Sequence, residues 1–326
     1  MPGKRLFFLC ASAFQSAFPH MKKLLLLCLL PLSVLAAPDP LPEKLAEGVY
    51  LLRGDAAPAS PGNGGFTANG GFFVGHEGVL LLNPGPNRAA AEARARAIAK
   101  VTALPVTLVV AAHARPEQVL GTGWFVAQGV PVLAHPETVK LMQERCERCL
   151  ERLSAEAGPA AMAGTRIVLP RPELADGQVL DLVDRHIEVI VPERAMIPGN
   201  TALFDAGSGI LFAGALVSLD HIPDLRDADP AGLLAALDRL GDLPFTLLVP
   251  DRGAPAARPR LAEFRRYISR LQDKVVAAYR TGVSLAEAEA ACELAEFAGW
   301  EGYAVQHPVN VRAWYQSLEK ADFEGH

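Results

Sequence analysis

The chain has no excess of positive charge and, after residue 36, no long apolar run. Its 326 residues hold 31 Lys and Arg against 36 Asp and Glu, a formal net charge of −5. Proteins that bind nucleic acid normally present a basic surface, so the composition argues against that class of partner. A helix that spans a bilayer needs about 20 mainly apolar residues, and no stretch after residue 36 offers them. The rest of the chain is therefore expected to fold in water, without a membrane span.

Cysteine is also scarce, with 5 in the whole chain. Cys10 and Cys28 lie near the N-terminus, which leaves Cys146, Cys149 and Cys292. In an oxidising compartment Cys146 and Cys149 are expected to form a disulfide, with Cys292 single; pairing of one of them with Cys292 is the alternative. A redox-active Cys-x-x-Cys usually lies at a helix N-terminus, whereas this pair falls inside a predicted helix. The pattern therefore favours a structural role over a catalytic one.

Residues 21–36 have the features of a secretory leader. Lys22 and Lys23 precede an apolar run that ends in small residues at the spacing that signal peptidase recognises. A leader normally begins its protein, so Met21 is interpreted as the true start and residues 1–20 as a mis-assigned extension. We expect the mature protein to be periplasmic or otherwise secreted.

Strand patterns and helix patterns alternate twice along the remaining chain. Apolar runs such as 106–111 and 166–169 predict strands, and the polar stretch 136–157 predicts a long helix. This order indicates an α+β protein in which two sheets pack together and are covered by helices. We expect one domain over 37–260 and a helical extension over 261–326 packed on it.

Three segments resemble the metallo-β-lactamase superfamily. They read ANGGFFVG at 68–75, GVLLLNPG at 78–85 and LFAGALV at 211–217, within a similarity that runs from about residue 45 to residue 253. The resemblance implies an αββα four-layer sandwich. It also implies a hydrolase in which one or two zinc ions polarise the substrate and activate a bound water.

A narrower resemblance links the chain to exported zinc metallohydrolases of quinoprotein relay systems. It depends on CERCL at 146–150, IPDLRDAD at 222–229 and HPVNVRAW at 307–314. The family's chemistry requires its metal ligands, so those positions decide what the resemblance implies for function.

The first ligand segment of the family, His-x-His-x-Asp-His, follows a buried strand. Here that position reads HARPEQ, in which His113 alone matches a histidine. Arg115 stands at the second histidine and would be repelled by a metal cation. Glu117 replaces the aspartate with a longer carboxylate, and Gln118 replaces the last histidine with a neutral amide.

The later ligand positions are also changed. Met196 stands where the family has a histidine, in a segment that continues to Asn200. A thioether is a soft ligand that suits Cu(I) better than Zn²⁺. Ala215 replaces the bridging aspartate or cysteine, Arg252 replaces the last histidine, and Asn83 replaces the aspartate that braces the first loop.

Too few ligands remain for the zinc mechanism, because catalytic zinc needs three protein ligands and an open fourth position. The sequence therefore favours a non-catalytic relative, without a cofactor, that binds a small anion or a periplasmic protein partner. The rival interpretation is a metal-dependent hydrolase with one zinc held by His113, Glu117 and a third ligand such as Asp220 or His221. The residues expected to line the old metal pocket are His113, Arg115, Glu117, Gln118, Met196, Asn200, Ala215 and Arg252.

Two further choices stay open from the residues alone. Arg115 and Arg252 either form a cationic cleft for a carboxylate or phosphate, or pair with Glu117 and Asp251 and only fill space. His113 is either a remnant ligand or a residue that hydrogen-bonds a neighbour.

Overall fold

The structure, a computed structural model, describes residues 39–324 and contains two six-stranded sheets. The predicted extension 1–20 and leader 21–36 lie outside the described residues. The first sheet has the order β1-β2-β3-β4-β5-β6, with antiparallel pairs up to β4 and parallel pairs from β4 to β6. Its strands are β1 (Pro42–Ala46), β2 (Val49–Leu52), β3 (Gly70–Val74), β4 (Val79–Leu82), β5 (Val106–Val110) and β6 (Val132–Leu133).

The second sheet has the order β12-β11-β10-β9-β8-β7. Its β10–β11 pair is parallel and its other pairs are antiparallel. The strands are β7 (Val179–Asp181), β8 (His186–Ile190), β9 (Ala202–Asp205), β10 (Ile210–Ser218), β11 (Leu247–Arg252) and β12 (Ala256–Ala257). Each sheet thus contains parallel neighbours whose carboxyl ends meet at one edge.

Several helices begin at a residue whose side chain caps them. Asn87 accepts a hydrogen bond from the Ala90 N–H at the start of α1, and Asp229 does the same for Gly232 at the start of α5. The helices are α1 (Arg88–Ala99), α2 (Pro116–Val119), α3 (Thr122–Ala127), α4 (Pro136–Ala157), α5 (Pro230–Asp242), α6 (Pro259–Arg280), α7 (Leu285–Ala291) and α8 (Tyr303–Glu324), with a 3₁₀ turn at Ala295–Phe297. Within residues 39–324, none is long and apolar enough to cross a membrane.

Strand side chains alternate between two buried layers, which explains why the central strands are apolar throughout. Leu80 and Leu82 lie between the two sheets with Phe212, whereas Val79 and Leu81 face the helices outside the first sheet. The helices α5, α6 and α8 cover the second sheet in a third apolar cluster. The predicted αββα four-layer sandwich is therefore confirmed.

One predicted strand is wrong. Residues 166–169 form no strand, and nearby only Arg171 makes an isolated bridge to Leu133. The reason is that β6, at the sheet edge, is only two residues long and gives no ladder to extend, while Leu169 is exposed. The two-residue β12 is too short for its pattern to predict it, and β1 (PEKLA) lacks the apolar alternation of a strand.

Arg94 of α1 is fully buried and has no carboxylate partner among the described residues. Its guanidinium donates to the carbonyl of Asn83 and lies over the Phe66 ring, with 4.7 Å from Cζ to the ring centroid. Its Nε and Nη2 atoms have no acceptor within the described part of the chain. Burial alone lowers the pKa of Arg94 to about 9, so the folded state carries a cation that it solvates poorly.

We predict that Arg94→Met leaves the free energy of unfolding unchanged within about 1 kcal/mol, or raises it. Removing an uncompensated buried charge offsets the lost hydrogen bond, and methionine keeps most of the volume. Arg94→Ala should instead lower the free energy by about 2–5 kcal/mol, because it leaves a cavity. Urea denaturation followed by circular dichroism measures both; equal losses in the two variants would mean that the charge stabilises the fold.

Candidate functional site

The candidate site lies where parallel strands of both sheets end. Asn83 follows β4 and His113 follows β5, while Ser218 ends β10 and Asp251 lies at the end of β11. In α/β sheets the loops at the carboxyl ends of parallel strands are the usual place for a ligand. Asn83 adopts a positive φ of 65° and its Oδ1 accepts from the Ala112 N–H at 3.0 Å, which joins the two loops of the first sheet.

A cleft of about 740 Å³ opens at this edge. It is bordered by loops from both sheets, by α2 and α4, and by the start of α8. Five arginines and six carboxylates line it, so it is a charged cleft rather than an apolar pocket. These are Arg115, Arg145, Arg152, Arg226 and Arg252, with Glu117, Glu156, Asp224, Asp227, Asp251 and Glu301.

Asp251 holds the inner end of the cleft together. Its Oδ1 accepts a hydrogen bond of 2.7 Å from Gln118 Nε2 and lies 3.6 Å from His113 Nε2. His113 is fully buried, and its Nδ1 accepts from the Arg115 N–H at 3.3 Å. His113 therefore faces protein groups through both ring nitrogens.

The charge of Asp251 is stabilised by its surroundings. Burial would raise the pKa of this carboxyl, but His113, Arg252 and Arg115 together lower it to about 2. The site thus contains an internal anion, supplied by the chain itself, close to two guanidinium groups.

Sequence reasoning did not single out Asp251 as the centre of the site. The sequence feature that could have identified it is a charged residue directly after the apolar run LLVP of β11. Asn69 was also missed: its Nδ2 donates to the carbonyls of Pro250 and Gly253, both at 2.9 Å, and its N–H donates to the Asp251 carbonyl. Asn69 thereby fixes the loop that carries Asp251.

Arg115 and Arg252 both line the cleft, and neither has the partner that the space-filling alternative requires. Arg115 Nη2 donates to the Asp224 carbonyl at 2.9 Å, and its buried Nε has no acceptor among the described residues. Arg252 Nη2 donates to Thr67 Oγ1 at 2.9 Å. Within residues 39–324, no carboxylate forms a salt bridge with either arginine, although both are near enough to Asp251 to lower its pKa.

Glu117 is directed toward α4. Its carboxylate accepts from Arg152 Nη2 at 3.1 Å, so it pairs neither with Arg115 nor with His113. The alternative ligands are separated as well. Asp220 binds Arg260 at 2.6 Å, and His221 lines the cleft with its Nδ1 3.0 Å from the Leu219 carbonyl.

The other predicted pocket residues divide between the cleft wall and the core. Ala215 lines the cleft. Met196 is fully buried in the apolar cluster beneath the second sheet and does not line the cleft. Asn200 is fully buried, and neither its amide nitrogen nor its amide oxygen has a partner among the described residues. Met196, which the resemblance placed at a histidine position of the family, is therefore part of the core.

These residues do not fit a zinc ion. In the part of the chain that the structure describes, no three His, Cys, Asp or Glu side chains come together as a metal site. The nearest ligand to His113 is Asp251, and the amide nitrogen of Gln118 already donates to that carboxylate. Two guanidinium groups beside it would repel a dication.

The rim of the cleft is held by the C-terminal helix. Asn310 of α8 donates to the Pro223 carbonyl at 2.8 Å and accepts from the Leu225 N–H at 3.0 Å. Trp314 Nε1 donates to the Leu225 carbonyl at 3.1 Å. These bonds fix the loop whose Asp224 carbonyl receives Arg115, so α8 positions that arginine indirectly.

The three cysteines are free thiols in the structure, which differs from the expected disulfide. Cys292 is buried away from the pair, in the cluster under the second sheet. Cys146 and Cys149 are neighbours on α4, where Cys146 is buried and Cys149 lines the cleft. Residues three apart on a helix keep their Cβ atoms about 5–6 Å apart, beyond the 3.5–4.5 Å of a relaxed disulfide. Closing this disulfide would therefore distort the helix.

A solved metallo-β-lactamase from Pontibacter korlensis is similar to the chain throughout its own length. The match has a TM-score of 0.56 at 21% sequence identity and covers 70% of this chain and 98% of that chain. The fold is that of a metallo-β-lactamase. No protein-family model matches the chain, and no curated protein sequence matches it. The comparison therefore shows the fold alone. What the site does has to be inferred from the residues of this chain.

We predict that Asp251→Asn lowers the free energy of unfolding by about 2 kcal/mol near pH 6, since each pKa unit is worth about 1.4 kcal/mol. The pKa of Asp251 is depressed from its usual 3.8 to about 2. Its stabilisation is therefore complete above pH 3.8 and disappears as the pH falls toward 2.

Urea unfolding of both proteins from pH 6 to pH 2.5 measures this difference. The exposed Asp242→Asn serves as the matched control and should change the free energy by less than about 0.5 kcal/mol throughout. A gap between wild type and Asp251→Asn that does not narrow in acid would contradict the assignment.

Proposed function

We propose that this protein is an exported, non-hydrolytic member of the metallo-β-lactamase fold that binds a small carboxylate- or phosphate-bearing ligand in its cleft. The observation that carries the proposal is the state of Arg115 and Arg252. Both line the cleft, and among the described residues neither is in a salt bridge. A partly buried guanidinium group without a salt bridge gains from pairing with an anion, and a ligand in the open cleft can supply it.

The other three arginines of the cleft are already matched. Arg145 binds Asp227 at 3.0 Å, and Arg226 binds Asp224 at 2.6 Å. Arg152 binds both Glu117 and Glu156 at 3.1 Å. These three arginines thus face four carboxylates in their salt bridges, and Arg115 and Arg252 are the two cleft arginines without a salt bridge among the described residues.

At the inner end, Arg115 and Arg252 both lie in the field of the buried carboxylate of Asp251, which also accepts from Gln118. Burial would raise the pKa of the Asp224 carboxyl, but the hydrogen bond from Arg226 and then the nearby Arg115 lower it. Neither Arg115 nor Arg252 forms a salt bridge within the described residues, so both guanidinium groups can donate to a ligand. The planar guanidinium fork matches carboxylate and phosphate oxygens, and each such hydrogen bond to a charged group is worth about 1.5–3 kcal/mol. An acidic side chain of a partner protein would present the same chemistry.

The narrower family resemblance supports a dedicated cleft. Its three segments, 146–150, 222–229 and 307–314, meet at this one place. Cys149 and Asp224 line the cleft, and Asn310 fixes the loop that carries Asp224. We infer that the chain is related to exported metallohydrolases of quinoprotein relay systems and acts in the periplasm or outside the cell.

We predict that the protein binds inorganic phosphate or succinate and that Arg115→Gln or Arg252→Gln raises the Kd about tenfold or more. A loss of one charged hydrogen bond, at about 1.4 kcal/mol per tenfold change, gives this magnitude. Isothermal titration calorimetry at constant ionic strength measures it. Arg115→Lys should also weaken binding, because lysine keeps the charge and loses the fork.

Arg239→Gln is the matched control, since Arg239 is paired with Asp176 at 2.9 Å and does not line the cleft. Its Kd should equal that of the wild type. Equal Kd values in all variants, with unfolding midpoints unchanged, would rule out the two arginines as the anion site.

We predict that the mature protein, purified without chelator and incubated with Zn²⁺, retains well below one zinc per chain. The donor set around His113 holds one histidine, an amide and a carboxylate already engaged by Gln118, so it offers too few ligands. Elemental mass spectrometry measures the content. Near-stoichiometric zinc that is lost in His113→Ala would overturn the proposal and support a single-metal hydrolase.

A further inference from the structure

Beside its charged side chains the cleft has an apolar strip, which the proposed anion site does not use. The strip consists of Ile197, Ile222 and Val305, which all line the cleft. Ile197 and Ile222 are 7% and 8% exposed, whereas Val305 is 75% exposed. Among residues 39–324, Val305 is the only exposed large apolar side chain that lines the cleft. The strip therefore has a covered part inside the cleft and an uncovered part at its open side.

Backbone hydrogen bonds hold the strip in place. The Ile222 N–H donates to the Glu301 carbonyl at 2.9 Å, and the Glu301 N–H donates to the Asp220 carbonyl at 2.7 Å. The Val305 N–H donates to the Gly302 carbonyl at 3.1 Å, in the turn that begins α8. The loop of Ile222 and the start of α8 thus form one preformed wall, and a ligand loses little free energy in ordering it.

The loop of Ile222 also contacts both arginines of the proposed anion site. Arg115 Nη2 donates to the Asp224 carbonyl at 2.9 Å, and the Arg252 carbonyl accepts from the Leu219 N–H at 3.0 Å. Ile222 lies between these two contact points in the sequence, in a segment that spans at most about 20 Å even when fully extended. The anion site and the strip are therefore neighbours, and one small molecule can reach both.

We propose that the ligand is an aliphatic monocarboxylate whose carboxylate binds Arg115 and Arg252 and whose hydrocarbon chain covers the apolar strip. This inference rests on the proposed anion site and adds the apolar part of the ligand. The cleft volume of about 740 Å³ supports it, because sites for ligands of drug size measure roughly 300–1,000 Å³. A phosphate ion, only a few times larger than a water molecule of about 30 Å³, would leave most of this volume empty.

The charge beside the strip favours one carboxylate over two. Glu301, four residues before Val305, lines the cleft, is exposed and forms no salt bridge among the described residues. A second carboxylate at the far end of a long ligand would approach this side chain and be repelled. An uncharged hydrocarbon end avoids that repulsion and covers Val305.

The test titrates the mature protein with acetate, butyrate, hexanoate and octanoate by isothermal titration calorimetry at constant ionic strength. The Kd should fall about two- to fourfold for each added methylene, the larger factor being that of complete burial. The heat-capacity change should become more negative with chain length, because more apolar surface is buried. Octanedioate, equally long but with a second carboxylate, should bind at least fivefold more weakly than octanoate.

Variants separate the two parts of the site. Val305→Ser should raise the Kd of octanoate about threefold and leave that of acetate unchanged, since only the longer chain reaches this side chain. Val126→Ser is the matched control, because Val126 is 44% exposed and does not line the cleft. Arg115→Gln should raise the Kd of all four acids by the same factor, about tenfold, because they share the carboxylate.

Each failure has its own signature. A Kd that does not depend on chain length, with the effect of Arg115→Gln retained, would overturn the apolar ligand and leave the anion site standing. A chain-length dependence that is the same in Val305→Ser as in the wild type would exclude the strip as the surface that binds the chain. If Arg115→Gln changes none of the Kd values, the proposed function fails, and this inference fails with it.

Discussion

The carboxylate of Asp251, buried at the end of β11, organises the inner end of the cleft. It receives the amide of Gln118, faces the ring of His113 and lies within the field of Arg115 and Arg252. In a zinc hydrolase of this fold a metal cation would attract the surrounding ligands. Here the central charge is negative instead of positive, because the buried carboxylate of Asp251 attracts hydrogen-bond donors and cations.

Much of the fold could be predicted from the sequence, because two physical regularities leave a recognisable pattern in it. Strands buried on both faces are apolar at every position, as in VLLL at β4, and Pro136 at the first position of α4 marks a helix start. Of the residues that the resemblance placed at ligand positions, Arg115, Glu117, Ala215 and Arg252 line the cleft. The strand predicted at 166–169 failed because an isolated apolar run has no sheet neighbour in the pattern.

The pairing of charges could not be predicted in the same way. Glu117 binds Arg152, 35 residues away, and Arg115 reaches a carbonyl 109 residues away. Such partners depend on the direction of each side chain across loops from different layers, which periodicity does not encode. Asp251 was considered from the sequence only as a partner for an arginine, because its central position comes from neighbours that the fold supplies and not from a motif of its own.

The bonds from Asn310 and Trp314 to the loop at Leu225 have a consequence for the order in which the site is made. These bonds span 85 and 89 residues of sequence. A chain still emerging from the ribosome could form both sheets and yet leave the loop beneath Arg115 unfastened. The cleft is completed only when the last helix has been synthesised and has docked, so a chain shortened before α8 would lose the fastening of this loop together with part of the apolar cover of the second sheet.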